Sequence, residues 1–220
     1  MKSIIFDNKT INDDGELMLQ IISKCLSTNR TFNDRCVDKI ISNISNLKWQ
    51  KKFYCRNFIF LFKNAIYEKI GDLKFMQMCQ ILDLLYHFNN PKITPDHLIL
   101  KKLEDKVAFF EERFYKENFD RKNLKFNKET FMVIRILRNL VAHSGLIDMN
   151  IAKNIIIDDQ KKLLESFLKE NKNINERILA CSFNYLIEDI FFRSMGLGDD
   201  ELLANGNPPQ YLSIFIKKVK

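Results

Sequence analysis

Apolar and polar positions follow the period of an α-helix along most of the chain, and short polar breaks separate the runs. The clearest helix start is Thr94-Pro95-Asp96, which supplies a capping residue, a proline at the first helical position and an acid in the first turn. Residues 120–123 predict a polar link, and the tail from Gly196 predicts a loop that leaves room for a short strand or helix. The predicted helices cover about 15–27, 33–47, 48–70 with Gly71 as its cap, 72–88, 94–118, 127–144, 158–169 and 174–195.

These runs predict an all-α protein. Glycine (6) and proline (4) are scarce, which argues against a β-rich or disordered chain, and 46% apolar residues suffice for a packed core. Short connections favour antiparallel neighbours. We therefore expect an antiparallel helical bundle over residues 48–196, an N-terminal helical extension over 1–47 packed on it, and a C-terminal tail over 197–220. One larger irregular helical domain fits the same pattern.

Charge and cysteine content narrow the class of protein. Lys and Arg exceed Asp and Glu by a net charge of +7, which favours an anionic partner, although an AT-rich genome also enriches lysine. The five cysteines form no C-x-x-C pair and predict reduced thiols in a cytoplasmic protein. With three histidines, we expect no metal site and no cofactor.

No membrane segment is expected. The N-terminus meets a charge at Lys2 and another at Asp7, too soon for a secretory apolar region. The most apolar run, Phe58 to Phe62, is bracketed by Arg56 and Lys63 and is far too short to span a bilayer. It predicts a buried helical segment instead.

The helix predicted from residue 127 separates apolar from polar side chains. At 100° per residue, one broad face is apolar, and the other carries two arginines, an asparagine and a histidine around a small residue. Three of the polar residues are spaced i, i+4, i+8 and form one stripe. The apolar face comprises Val133, Ile134, Ile136, Leu137, Leu140 and Val141; the polar arc comprises Arg135, Arg138, Asn139, Ala142 and His143.

This combination of side chains suits the cleavage of a phosphodiester bond. Arginine binds phosphate through a planar fork and keeps its charge. Histidine titrates near neutral pH and can move a proton, and asparagine can orient either partner by hydrogen bonding. RNA supplies its own nucleophile, the 2′-hydroxyl group. The same arginine and histidine could equally solvate an exposed helix end, where a cation is ordinary.

The run Arg138-Asn139-Leu140-Val141-Ala142-His143 resembles the R-x(4–6)-H motif of the HEPN superfamily. The likeness includes the polar residue after the arginine and the small residue before the histidine. It implies a HEPN-like helical bundle that forms a homodimer with two motifs at one cleft. It also implies a metal-independent endoribonuclease, of the kind found in toxin–antitoxin, abortive-infection and CRISPR-associated systems.

By this resemblance, Arg138 and His143 are catalytic and Asn139 supports them, while Arg135 on the same stripe is a candidate RNA-binding residue. HEPN toxins paired with a nucleotidyltransferase antitoxin usually carry tyrosine two residues after the histidine, where this chain has Gly145. Two alternatives stay open: a catalytically silent HEPN-like RNA-binding or dimerisation module, and a helical adaptor that docks a protein partner.

Other clusters favour structural roles. The runs Glu104-Asp105-Lys106 and Glu111-Glu112-Arg113 predict a solvated helix face. The aromatic stripe Phe109, Phe110, Phe114 and Tyr115 could stack bases, but such a stripe is more often core. His87 and His97 are interpreted as structural.

Overall fold

The computed structural model describes residues 38–40, 42–43, 46, 57–58, 60–61, 64–65, 71–90, 102–145, 156–198 and 210–219. These residues are mostly helical, and their strands form a two-stranded sheet, in agreement with the predicted all-α class. In chain order the elements are α1 (Gly71–Asn89), α2 (Leu103–Phe110), a π-helix (Glu111–Tyr115), α3 (Lys116–Lys122), β1 (Leu124–Phe126), α4 (Lys128–Ser144), α5 (Asp158–Glu170), α6 (Glu176–Ser194), a 3-10 helix (Gln210–Phe215) and β2 (Ile216–Lys218).

Helix α4 begins and ends where the sequence predicts, because both of its caps are local. The side chain of Asn127 accepts a hydrogen bond from the Glu129 amide at 3.3 Å, which satisfies one of the free donors of the first turn. Gly145 ends the helix with φ at +69°, and its amide donates to the Val141 carbonyl at 3.0 Å. A side chain would be strained in this left-handed conformation.

Helix α2, the π-helix and α3 follow one another without a break from Leu103 to Lys122. The predicted polar link at residues 120–123 is therefore wrong for its first three residues, which form the last turn of α3. Asn123 ends the helix at φ +51°, a left-handed conformation that asparagine tolerates better than most residues. The helix extends beyond the predicted end near residue 118. The polar side chains of an exposed last helical turn cannot be distinguished by sequence from those of a loop.

The π-helix is held by a buried network that includes an ion pair. Asp189 on α6 accepts hydrogen bonds from Tyr115 Oη at 2.6 Å and from Arg193 Nε at 2.8 Å. Arg193 also donates through Nη1 to the Phe114 carbonyl at 3.1 Å, and its guanidinium lies 4.5 Å from the Tyr115 ring centroid. A π-turn leaves backbone groups outside the regular α-helical pattern, and Arg193 supplies a donor to one of them.

Among the described elements, helices α1 and α6 form the most extensive helix–helix contact, and they run in the same direction. Phe75 meets Phe183 near their beginnings, with ring centroids 6.0 Å apart, and Asn89 donates to the Ser194 hydroxyl at 2.7 Å near their ends. Gly71 lies within α1, so the prediction that it caps a preceding helix is wrong.

The C-terminal segment joins the core instead of remaining a loop. Strand β2 pairs antiparallel with β1, and Phe126 lies opposite Ile216. Thr130 donates to the Ile214 carbonyl at 3.0 Å, and Phe215 stacks on Phe131 with centroids 5.3 Å apart. The sequence left open a strand or a helix in the tail, and residues 210–218 form a 3-10 helix followed by a strand.

Parts of the N-terminal third also reach the core. Ile40 and Phe58 are buried, and Phe58 stacks on Phe191 at 4.0 Å. Asn43 donates to the Met195 carbonyl at 2.6 Å. Of the apolar run from Phe58 to Phe62, Phe58 is buried and Phe60 is exposed. The helix predicted over 15–27 lies outside the described residues, and the proposed division at residue 47 stays a prediction. None of the helices in the described ranges has the length and apolarity needed to cross a membrane.

Candidate active site

Helix α4 buries the face that the sequence predicts. Val133, Ile134, Ile136 and Leu137 are at most 3% exposed, and the helix packs on α1, α2 and α5. The residues of the polar arc are half-buried up to Asn139 and exposed from Ala142 onward. The arc therefore emerges from the protein toward the C-terminal end of α4, where the candidate active site lies.

The Arg138 guanidinium is held by its neighbour Asn139. Both Nη2 and Nε of Arg138 donate to the Asn139 Oδ1, at 3.0 and 3.3 Å. This contact fixes the plane of the half-buried guanidinium and leaves its remaining N–H donors for other acceptors. The orienting contact expected of Asn139 is thus present, and its part in catalysis stays a prediction.

Arg138 also lies in the electrostatic field of two titratable groups on α1. Burial raises the pKa of the Cys79 thiol to about 12, although Arg138 acts to lower it. Burial likewise raises the pKa of Asp83 above its ordinary value, against the lowering effects of Lys106 and then of Arg138. Cys79 consequently stays a protonated thiol at neutral pH and cannot serve as a nucleophile there.

Lys106 forms an ion pair with Asp83 at 2.6 Å, and its side chain is almost completely buried. The prediction that residues 104–106 form a solvated face is wrong for Lys106, because α2 packs against both α1 and α4 and this position faces inward. Sequence reasoning missed the pair, because it did not single out Asp83 and assigned Lys106 to a solvated face. A signal was present, since Asp83 is the one charged residue within the apolar stretch from Ile81 to Leu85.

Arg135 is engaged by a different acid. Its Nε lies 3.2 Å from Glu104 Oε2, and the Glu104 side chain is 11% exposed. This ion pair links α2 to α4 and partly neutralises Arg135. The geometry favours a bracing role between the two helices, and the expected role of Arg135 in RNA binding stays a prediction.

His143 occupies the last turn of α4 and is exposed, as is Ala142 before it. Its imidazole has no hydrogen bond to any residue that the structure describes. Along the helix, His143 is about 7.5 Å beyond Arg138 and about 140° further around the axis. The structure therefore brings Arg138 and Asn139 together but does not place His143 beside them.

The remaining sequence predictions have mixed outcomes. Phe110 and Tyr115 are buried and Phe109 and Phe114 are half-buried against the core, so the aromatic stripe is core as predicted. Burial lowers the pKa of His87. His97 lies outside the described residues. Glu111, expected on a solvated face, is half-buried and accepts a hydrogen bond from the Phe126 amide at 2.9 Å.

The two cysteines that are described, Cys79 and Cys181, are free. Within the described ranges, no three His, Cys, Asp or Glu side chains come together as a metal site would require. Comparison of the chain with protein-family models, with curated proteins and with solved structures gave no match.

Proposed function

We propose that this protein is a metal-independent endoribonuclease of the HEPN type that works as a homodimer. The observation that carries the proposal is the Arg138 fork, held by Asn139, one turn and a half before the exposed imidazole of His143. The helix ends at Gly145 directly after these groups. The proposed setting is the cytoplasm, in phage defence or as a toxin with a cognate antitoxin.

Each of these side chains has its own role in the proposed reaction. In RNA cleavage, the 2′-oxygen forms a bond to phosphorus, and the bond from phosphorus to the 5′-oxygen breaks. A base takes the proton of the 2′-hydroxyl and an acid returns one to the leaving 5′-oxygen. His143 supplies the titratable group, Arg138 binds the phosphate oxygens, and Asn139 keeps the Arg138 guanidinium in plane.

A second copy of the chain completes the proposed site. One chain offers a single histidine at the motif, and that histidine points about 140° away from Arg138 around the helix. A two-fold axis near the small, exposed Ala142 would bring both copies of His143 and Arg138 to one phosphate. Two positively charged arginines at such a contact repel each other, and an RNA phosphate between them relieves that repulsion.

Cleavage is expected to survive metal chelation. Since the proposed acid and base are side chains, incubation of a labelled single-stranded RNA with the protein in EDTA should give products that end in a 2′,3′-cyclic phosphate. Gel electrophoresis combined with mass spectrometry of the products measures both features. Loss of activity in EDTA and its recovery on addition of a divalent ion would contradict the proposal.

Mixed dimers should be impaired. When His143→Ala chains are added to wild-type chains and allowed to exchange, the initial rate of RNA cleavage should fall faster than the wild-type fraction, because each heterodimer lacks one proton-transfer group. His87→Gln chains serve as the matched control and should leave the rate proportional to total protein. A strictly linear fall with His143→Ala, or full activity in a protein shown to be monomeric in the assay, would refute the composite site.

A further inference from the structure

Two short segments that are distant in sequence carry basic residues and no acid. Residues 121–128 carry four lysines and arginines, residues 216–220 carry three, and neither segment contains an acid.

The sheet brings the two segments side by side. Lys125 of β1 lies directly opposite Lys217 of β2, between the backbone hydrogen bonds that join Asn123 to Val219 and Asn127 to Phe215. Directly opposed residues of an antiparallel pair project on the same face of the sheet. Lys125 and Lys128 are exposed and Lys217 is half-buried. We call Lys125, Lys128 and Lys217 the lysine patch; Lys218 lies opposite Leu124 and projects on the other face of the sheet.

This arrangement is unfavourable for the fold alone. Like charges directly opposite each other destabilise a strand pair, and a cation at the first residue of a helix, as Lys128 is in α4, opposes the helix dipole. Two acids lie near the lysine patch. Glu129 approaches the Lys217 Nζ only to 4.0 Å, and Glu111 is half-buried and accepts a hydrogen bond from the Phe126 amide. Residues that break local rules in this way indicate a function outside the fold.

We infer that the lysine patch binds the phosphate backbone of RNA and holds the substrate at a distance from the cleavage site. The identification of RNA as the bound molecule rests on the function proposed above. Lys128 and His143 are the two ends of one helix, fifteen residues or about 22 Å apart. An RNA bound at the lysine patch and cleaved at His143 must run along α4, whereas a dinucleotide, with its single phosphodiester, can occupy only one of the two places.

Removal of one charge separates this inference from a structural role. In Lys125→Gln, the strand pair loses the repulsion between Lys125 and Lys217, and no new carboxylate is placed near Glu111. The variant should unfold at about the same temperature as the wild type, yet bind RNA more weakly. A variant that is both less stable and weaker in binding would mean that Lys125 acts on the fold, which contradicts the inference.

The direct test measures binding of labelled poly(U) by fluorescence anisotropy over a range of salt concentrations, in full-length protein carrying His143→Ala to prevent cleavage. Lys125→Gln/Lys217→Gln should bind about tenfold more weakly, and the slope of log affinity against log salt should fall by roughly 0.7 for each lysine. The matched control, Lys162→Gln/Lys169→Gln, removes the same charge from exposed positions of α5 and should bind like the parent.

Cleavage kinetics distinguish failure of this inference from failure of the proposed function. In otherwise wild-type protein, the Lys125/Lys217 change should raise KM for poly(U) and leave cleavage of the dinucleotide UpA unchanged. Cleavage of poly(U) that is indifferent to these lysines overturns the lysine patch and spares the nuclease. Patch-dependent binding without any cleavage supports the lysine patch and refutes the nuclease. Lysine-dependent binding to phosphatidylserine vesicles with none to poly(U) would overturn RNA as the occupant.

Discussion

Replacing His143 with alanine should reduce the rate of RNA cleavage by about 10²- to 10⁴-fold, the range that a general acid–base group contributes. His143 is exposed and has no hydrogen bond to a described residue, so its loss should change the free energy of unfolding by less than about 0.5 kcal/mol. The measurement is the single-turnover rate on a defined RNA, with circular dichroism to verify the fold. Binding of RNA should stay close to that of the wild type.

His87→Gln is the matched control, because it removes the imidazole on α1 and should leave the rate unchanged. Arg138→Ala should also abolish cleavage, and it should weaken RNA binding as well because the guanidinium binds phosphate. Wild-type rates in both His143→Ala and Arg138→Ala would show that the site has been assigned to the wrong residues. The chain would then have to be considered as a silent RNA-binding module or a protein adaptor.

Replacing Asp189 with alanine should lower the free energy of unfolding by about 3–5 kcal/mol, because it removes a buried carboxylate that pairs with the guanidinium of Arg193. Asp189 is fully buried, Arg193 is 6% exposed, and the hydrogen bond from Tyr115 is lost at the same time. Urea denaturation followed by circular dichroism measures the loss. The π-helix depends on the same contacts, so exchange of amide hydrogens at residues 111–115 should accelerate as well.

Asp120→Ala provides the control for that experiment. Asp120 is an exposed aspartate in the last turn of α3, and its removal should change stability by less than about 0.5 kcal/mol. The stability of Asp189→Asn should lie between that of Asp189→Ala and that of the wild type, because an amide oxygen can still accept a hydrogen bond from Tyr115 but carries no charge. Equal stability of Asp189→Ala and the wild type would mean that the Asp189–Arg193 pair contributes nothing to the fold, which is the outcome opposite to the one expected.

The bounds of α4 could be predicted from the sequence because the signals lie within a few residues of each end. Asn127 provides the capping oxygen, Gly145 accepts the left-handed conformation, and the apolar residues between them repeat with the helical period. The same reasoning identified the polar arc. Capping and amphipathicity are local properties, so one sequence is enough to recognise them.

Other features depended on contacts between residues far apart in the chain. The sequence alone predicts that Lys106 is a surface residue. In the structure it is buried, because it forms an ion pair with Asp83 on another helix. The pairing of Lys125 with Lys217 joins residues at opposite ends of the second half of the chain, and neither strand is long enough to carry a recognisable alternating pattern.

The sequence by itself determined the helical class, the polar arc of α4 and the order of Arg138, Asn139 and His143 along it. Only the tertiary structure decided that Lys106 is buried against Asp83, that Glu104 pairs with Arg135, and that Lys125 lies opposite Lys217. The physical reason is the range of the forces. Helix formation and capping act within a turn, whereas burial, ion pairing and strand pairing depend on which distant segments the fold places together.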